Sequence, residues 1–287
     1  MRTATLAIAE GVGVRGLLNV QFAISAGILY VIEANPRASR TVPFVSKALG
    51  IPLAKAAARI MTGTTIDELK SEGMLPPIDG SRVPLDSPVS VKEAVLPFKR
   101  FRTKDGQTVD SVLGPEMRST GEVMGIDKDF PTAFAKSQAA AYGGMPLSGT
   151  VFISVADSDK RAVILPAHRL QELGFWLVAT EGTAEILARN GINVSIVNKY
   201  SETQTSGARN IVDLINNGEI DIIVNTPSGR SARADGYEIR AAAVAADKAL
   251  FTTIAVLGAA VSAMDAVRQG FDVKSLQEYA ADRAARG

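Results

Sequence analysis

The chain has no cysteine, one histidine and one tryptophan among its 287 residues. Without cysteine there are no disulfides and no thiolate metal sites, which fits a reducing compartment and makes the cytoplasm the expected location. The lone histidine, His168, falls in a helical stretch and reads as a surface side chain, leaving imidazole chemistry without a player. An excess of one charge is also missing, since 31 Lys plus Arg face 30 Asp plus Glu. Neither nucleic acid nor an anionic membrane is therefore an expected partner. Long apolar runs are absent: the most apolar stretch, Ala249 to Met264, is broken by Thr252, Thr253, Gly258 and Ser262 and stops at Asp265, short of a membrane span. The start lacks the basic-then-apolar order of a signal peptide, and the chain is expected to be soluble.

What is there is 46% hydrophobic, enough at this length for two domains with sizeable cores. Near the start, Tyr30-Val31-Ile32-Glu33-Ala34-Asn35-Pro36-Arg37 sets a carboxylate and an amide two apart. In a strand both point to one face and can aim two oxygens at one hard cation. A hairpin through Ser25-Ala26-Gly27 would bring Gln21 alongside, with Asn19 on the same face. By itself this spacing is more often that of solvated polar positions than of ligands. Gly11-Val12-Gly13-Val14-Arg15-Gly16 spells GxGxxG, yet residues 3 to 10 read as helix and the segment after Gly16 alternates like a strand. A dinucleotide fingerprint needs the reverse order, so these glycines read as a helix-to-strand turn.

From Gly143-Gly144-Met145-Pro146 onward, strands and helices alternate. Strands are expected at Thr150–Val155, Trp176–Ala179, Val194–Val197, Ile220–Asn225 and Leu250–Thr253. Helices fall between them, at about 161–173, 183–190, 208–217 and 237–248, with one long helix to finish. This rhythm predicts a parallel α/β sheet, with Trp176 in its core, whose ligands gather at the carboxyl ends of strands. Ser154 and Lys160 follow the first strand, Thr180-Glu181-Gly182-Thr183 the second, Lys199 the third, and Asn225-Thr226-Pro227-Ser228-Gly229-Arg230 the fourth. Hydroxyls and a glycine opening a helix make either an ordinary N-cap or an anion site; Lys160 and Lys199 would supply the countercharge.

Longer strings carry a resemblance. Asn19 to Ala23, Ile32 to Arg37 and Ser39-Arg40-Thr41-Val42-Pro43-Phe44-Val45-Ser46-Lys47 resemble the close of an ATP-grasp unit in the carbamoyl phosphate synthetase large-subunit family. Val89 to Phe98, and Leu113-Gly114-Pro115-Glu116-Met117-Arg118-Ser119-Thr120-Gly121-Glu122-Val123-Met124-Gly125, resemble its connector. Phe175 to Leu187, Val197 to Lys199 and Asn217 to Arg230 resemble its terminal methylglyoxal-synthase-like domain.

The resemblance implies three sections: residues 1–87, an incomplete ATP-grasp tail (α+β); 88–144, a connector; and 145–287, a doubly wound methylglyoxal-synthase-like allosteric domain. It implies metal ligation by Gln21, Glu33 and Asn35, and catalytic roles for Asn19, Glu33, Asn35, Arg37 and Arg40. Mg or Mn would accompany ATP in the full-length enzyme, with none held tightly by this chain alone. Lys160, Thr180, Thr183, Lys199, Asn225 and Thr226 would bind the phosphate of a UMP-like inhibitor or an IMP-like activator. Glu93, Leu96 and Thr252 match an ornithine site of some relatives, although the tyrosine position there reads Leu250. The implied partners are the rest of the large subunit and a glutaminase small subunit; the implied activity is ATP-dependent carbamoyl phosphate synthesis for arginine and pyrimidine pathways, with this piece inactive alone.

The adenine pocket, glycine-rich loop and lysines of such a unit would lie before Met1. Glu116, Arg118 and Glu122 read as polar positions on an exposed strand, tied by an ion pair. The alternative is a stand-alone lyase acting on dihydroxyacetone phosphate. Against it, the stretch matching that enzyme's aspartate loop, Glu202-Thr203-Gln204-Thr205-Ser206, has no aspartate. Apolar strand faces left without their partner strands should associate. Light scattering is accordingly expected to show oligomers of this chain and a monomer for one beginning near Gly143.

Overall fold

The computed structural model describes residues 1–77, 86–101, 103–106, 109–200, 209–226 and 229–285, with side chains undescribed at 229–235 and 284–285. Asp79, Gly80, Pro84, Glu202 to Ser206, Pro227 and Ser228 lie outside the described residues. The chain divides into two compact units, Met1–Pro88 with Val273–Gly287, and Val89–Asp272.

In the first unit, α1 (Arg2–Val12) ends at Gly13 in the left-handed conformation, φ 68°, and the turn continues through Gly16 at φ 99°. Glycine meets both angles without steric cost. β1 (Asn19–Ser25) and β2 (Ile28–Asn35) then form an antiparallel hairpin. Its two-residue turn, Ala26-Gly27, has positive φ at both positions, 49° and 77°, as a primed turn requires. A bulge after Gln21 leaves Ile32 without a partner in the register. Ile24 is 62% and Ile32 63% exposed, with Ile28, Tyr30 and Val31 also exposed. Three short helices follow: α2 (Thr41–Leu49), α3 (Leu53–Met61) and α4 (Ile66–Ser71). The last is opened by a reciprocal capping box between Thr65 and Glu68 and anchored by fully buried Leu69.

The second unit opens with β3 (Val89–Val95) paired antiparallel to β4 (Gly121–Asp127), and α5 (Phe130–Tyr142) packs on both. Asp129 caps α5, its carboxylate accepting from Thr132 N–H at 2.9 Å. Five parallel strands follow: β5 (Thr150–Ser154), β6 (Trp176–Ala179), β7 (Ser195–Ile196), β8 (Ile222–Asn225) and β9 (Ala249–Phe251), in spatial order β7-β6-β5-β8-β9. Between them run α6 (Ile164–Glu172), α7 (Glu181–Arg189), α8 (Ile211–Asn216) and α9 (Gly229–Ala245), and α10 (Ile254–Gln269) follows β9. Successive strand residues point to opposite faces. Accordingly Val151, Ile153, Ile222 and Val224 join a core with α5, α6, α7 and α10, while Phe152 and Ile223 join another with α8 and α9. The sheet is covered on both faces, the doubly wound arrangement expected.

Several local expectations are corrected. Trp176 is 78% exposed rather than core, because β7 pairs only with Val178 and Ala179 and stops short of it. Glu116 and Arg118 keep their ion pair, at 3.0 Å, but on irregular backbone; only Glu122 of that set is on a strand, facing Lys92 at 3.5 Å. The long last helix is two: α10 ends at Gly270, and α11 (Leu276–Ala285) belongs to the first unit, where Arg283 donates to the Ala48 carbonyl. Gly143 and Gly144, at the expected start of the last section, have φ of 83° and 105° and fall within the second compact unit, whose core includes Phe134 and Ala135 of α5.

Gly125 marks a close approach of β4 to α5. A Cβ there would collide with the Ala133 carbonyl and stand 2.7 Å from Ser137 N. Gly125→Ala is expected to lower the urea-unfolding free energy of the second unit by about 1–3 kcal/mol, the cost of overpacking a filled site. Glu93 lies half-buried between β3 and α5, and burial raises its carboxyl above the ordinary range, a hydrogen bond with Gln138 offsetting part of this. Burial, then the charge of Glu93, push Tyr142 up to about 12, so its hydroxyl stays protonated and donates to the Ala94 carbonyl at 2.8 Å. Folding thus favours protonated Glu93. That contribution is full below the unfolded glutamate value of about 4.3 and is lost as pH rises through the raised folded value. Glu93→Gln should therefore raise the urea midpoint at neutral pH, with the gain shrinking as pH falls towards about 4.

Candidate functional site

The two middle strands of the sheet, β5 and β8, are neighbours, yet the chain leaves β5 towards β6 on one side and β8 towards β9 on the other. Outside their carboxyl ends such a reversal leaves a crevice. A cavity of about 210 Å³ lies there, lined by Ser154, Asp157, Lys160, Thr180, Gly182, Thr183, Lys199, Asn225, Thr226 and Gly236 among others. All six residues expected to hold a phosphate line it. Thr180, Thr183, Asn225 and Thr226 are buried, and polar side chains are seldom buried without partners.

Those partners are specific. Thr183 Oγ1 accepts from Val155 N–H at 3.4 Å and Thr226 Oγ1 from Ala156 N–H at 2.9 Å. Both hydroxyls stitch the loop after β5 and keep their own hydrogens to donate. Thr180 occupies the N-cap position of α7 but makes no side-chain bond to the helix; its hydroxyl donates to Ser154 Oγ at 3.3 Å. The ordinary N-cap reading is thereby set aside for this threonine. Gly182 lets Lys160 reach the helix end: a Cβ there would lie 3.2 Å from Nζ. An ammonium thus sits on the positive pole of α7, a placement disfavoured by the helix dipole and relieved by an anion. Asp157 now provides that relief at 2.7 Å, and Lys160 holds its carboxyl below the usual range by hydrogen bonding and charge. Asp157 is 93% exposed, and such a pair is worth little in water, so another anion can replace it.

The hairpin of the first unit assembles the other expected set. Gln21 pairs directly with Glu33, and Asn19 with Asn35, so four polar side chains share one face. Asn35 Nδ2 donates to Glu33 Oε1 at 2.9 Å, and Arg37 Nη1 to the Ala38 carbonyl at 3.1 Å. Arg40 stands at the N-cap of α2. These are oxygen donors of the kind Mg²⁺ and Mn²⁺ take, with a single formal charge among them. They suit a cation that draws its remaining ligands from phosphate oxygens. No cluster of three or more His, Cys, Asp or Glu suited to a metal occurs among the described residues.

Glu93 sits on β3 and Leu96 just beyond it, while Thr252 follows β9. The Glu93 carboxyl is engaged by Gln138. His168 is exposed on α6, 3.3 Å from Glu172, and takes no part in the cavity. Sequence reasoning missed Asp110, Gly236 and Arg240. Arg240 follows Ile239 and precedes three alanines on a helix, and a lone cation in an apolar run was the available signal. No helix among the described residues is long and apolar enough to cross a membrane.

Residues 1–69 match the family model "Carbamoyl-phosphate synthase L chain, ATP binding domain", and residues 162–252 match "MGS-like domain". The chain is 75% identical to the carbamoyl phosphate synthase large chain of Clavibacter michiganensis subsp. michiganensis, over 99% of its own length and 26% of that protein's. Identity to the large chain of Kineococcus radiotolerans is 66%, over 98% and 26%. For that of Streptomyces coelicolor it is 61%, again over 98% and 26%. The chain thus spans about a quarter of the length of the curated relatives it matches. Similarity to synthases through both units disfavours the stand-alone lyase. The chain belongs to the carbamoyl phosphate synthase large-chain family and corresponds to its carboxyl-terminal part, an ATP-binding-domain tail followed by an MGS-like domain.

Proposed function

We propose that this chain is the regulatory end of a carbamoyl phosphate synthase large chain, its second unit binding the phosphate of a nucleotide effector of the UMP or IMP type. The observation that carries the reading is Lys160 held against the amino end of α7, where two positive charges converge beside buried hydroxyl donors. Lys199 adds a second cation to the same cavity. A phosphate would take hydrogen bonds from the hydroxyls, the ammonium groups and the helix end together.

In this reading residues 1–87 complete an ATP-grasp unit that phosphorylates carbamate, 88–144 connect, and 145–287 regulate. Asn19, Gln21, Glu33 and Asn35 would hold Mg²⁺ or Mn²⁺, which when bound with ATP neutralises phosphate charge; Arg37 and Arg40 would orient phosphoryl oxygens. On this reading the chain by itself is inactive in synthesis. The rest of the large chain and a glutamine-hydrolysing small subunit are its partners, in the cytoplasm, for arginine and pyrimidine synthesis. Glu93, Leu96 and Thr252 remain the ornithine set by resemblance.

A thermal-shift titration with UMP and IMP tests the reading. Ligand at one hundred times its dissociation constant adds about 2.7 kcal/mol, which moves the midpoint by about 5–11 °C in a unit of this size. At least one nucleotide is expected to give that shift, and Lys160→Ala to abolish most of it. A chain that neither nucleotide moves overturns it.

A further inference from the structure

Arg240 is the largest fully buried side chain, at 0% exposure, and it stands behind the cavity rather than in its lining. Its guanidinium donates to Asp110 and to Asn225. Nε and Nη2 bind Asp110 Oδ1 and Oδ2, each at 2.7 Å, in a bidentate fork. Nη1 donates to Asn225 Oδ1 at 2.8 Å. Asp110 is fixed in turn, Oδ1 also accepting from Val112 N–H at 3.2 Å. Burial pushes the Asp110 carboxyl up, but the bonds from Arg240 and the backbone outweigh it, and the group stays ionised.

Arginine can only donate, so the atom of Asn225 that faces it must be the carbonyl oxygen. The amide is thereby set with its NH₂ turned away from Arg240. Asn225 lines the cavity, and among the described residues Nδ2 has a long contact, 3.5 Å, to the Ser154 carbonyl. Gly236, one turn before Arg240 on α9, makes the arrangement sterically possible. A Cβ there would collide with Nη1 and lie 2.9 Å from Asn225 Oδ1, because side chains on a helix lean back over the preceding turn. A buried ion pair is seldom the most stable filling of its space, so stability alone does not account for this one.

We propose that Arg240, held in a fork by Asp110, is a positioning residue that turns the Asn225 amide so that its NH₂ donates to an oxygen of the anionic ligand. This rests on the phosphate-site reading above and deepens it: the specificity for an anion is enforced from outside the cavity, by a carboxylate in the segment before β4. Loss of the fork frees the amide to rotate and present its carbonyl oxygen, which repels an anion.

Two variants test this with UMP and inorganic phosphate as probes in calorimetry. Asn225→Asp keeps an acceptor for Arg240 and removes the NH₂; it should weaken UMP binding about tenfold or more, the range of a hydrogen bond to a charged group. Asp110→Asn removes the charge that holds the fork, and should weaken UMP binding similarly. In Asp110→Asn, ¹⁵N relaxation should also show the Asn225 side-chain NH₂ becoming mobile, which a merely structural role for Asp110 would not produce. Binding by the unaltered chain that both variants retain overturns the positioning role and leaves the phosphate site standing. Failure of the unaltered chain to bind either probe removes the phosphate reading, and the proposal with it.

Discussion

Everything at the candidate effector site depends on one constraint of sheet topology: β5 and β8 lie side by side while the chain leaves them in opposite directions. Helices therefore cannot close over the carboxyl ends of these two strands, and a crevice is left. Each strand delivers a short loop to it, the stretch after Ser154 from β5 and Asn225-Thr226 from β8, and the neighbouring β6 delivers the start of α7. The loops are stitched to one another by Thr183 and Thr226, whose hydroxyls accept the N–H groups of Val155 and Ala156. A cavity so braced is preorganised, and its charges are fixed before any ligand arrives.

Those charges are arranged at some electrostatic cost. Lys160 over the positive end of α7 and Arg240 in complete burial are both unfavourable placements by themselves. Each is compensated by a carboxylate of a different kind. Asp157 lies at the surface and is exchangeable; Asp110 is bidentate, half-sequestered and locked by the backbone. The contrast supports the proposed roles, in which the exchangeable pair marks where a ligand anion would enter and the locked pair shapes the wall it would meet.

The first unit has a different character. Its hairpin places four polar side chains on one face, but β1 and β2 have no other strand beside them among the described residues, and apolar residues of β2 stand in solvent. The relatives it matches are about four times longer. The carboxyl-terminal α11 belongs to this unit although the whole sheet domain separates it in sequence. Long-range returns of this sort carry no local pattern.

Much of the architecture was legible because it rests on local physics. Alternation marked β1, Ser25-Ala26-Gly27 marked the hairpin, the glycines from Gly11 to Gly16 marked the turn between α1 and β1, and the strand rhythm after Gly143 predicted the parallel sheet. The six residues expected to hold a phosphate, which line one cavity, could be collected by assigning each to a strand end. Three kinds of feature escaped. Trp176 was expected inside because an indole is apolar, whereas its exposure depends on where a two-residue neighbour strand happens to stop. The last helix divides at Gly270, and the chain crosses to the other unit, for packing reasons no periodicity records. Asp110, Gly236 and Arg240 meet at Asn225 only after folding, from positions up to 130 residues apart. The sequence by itself thus determined which elements form and which residues stand at strand ends, because those follow from neighbours a few positions away. Which buried charge faces which acceptor, and hence which way an amide points, was decided by tertiary structure alone, because hydrogen bonding in a dry interior depends on what folding brings within 3 Å.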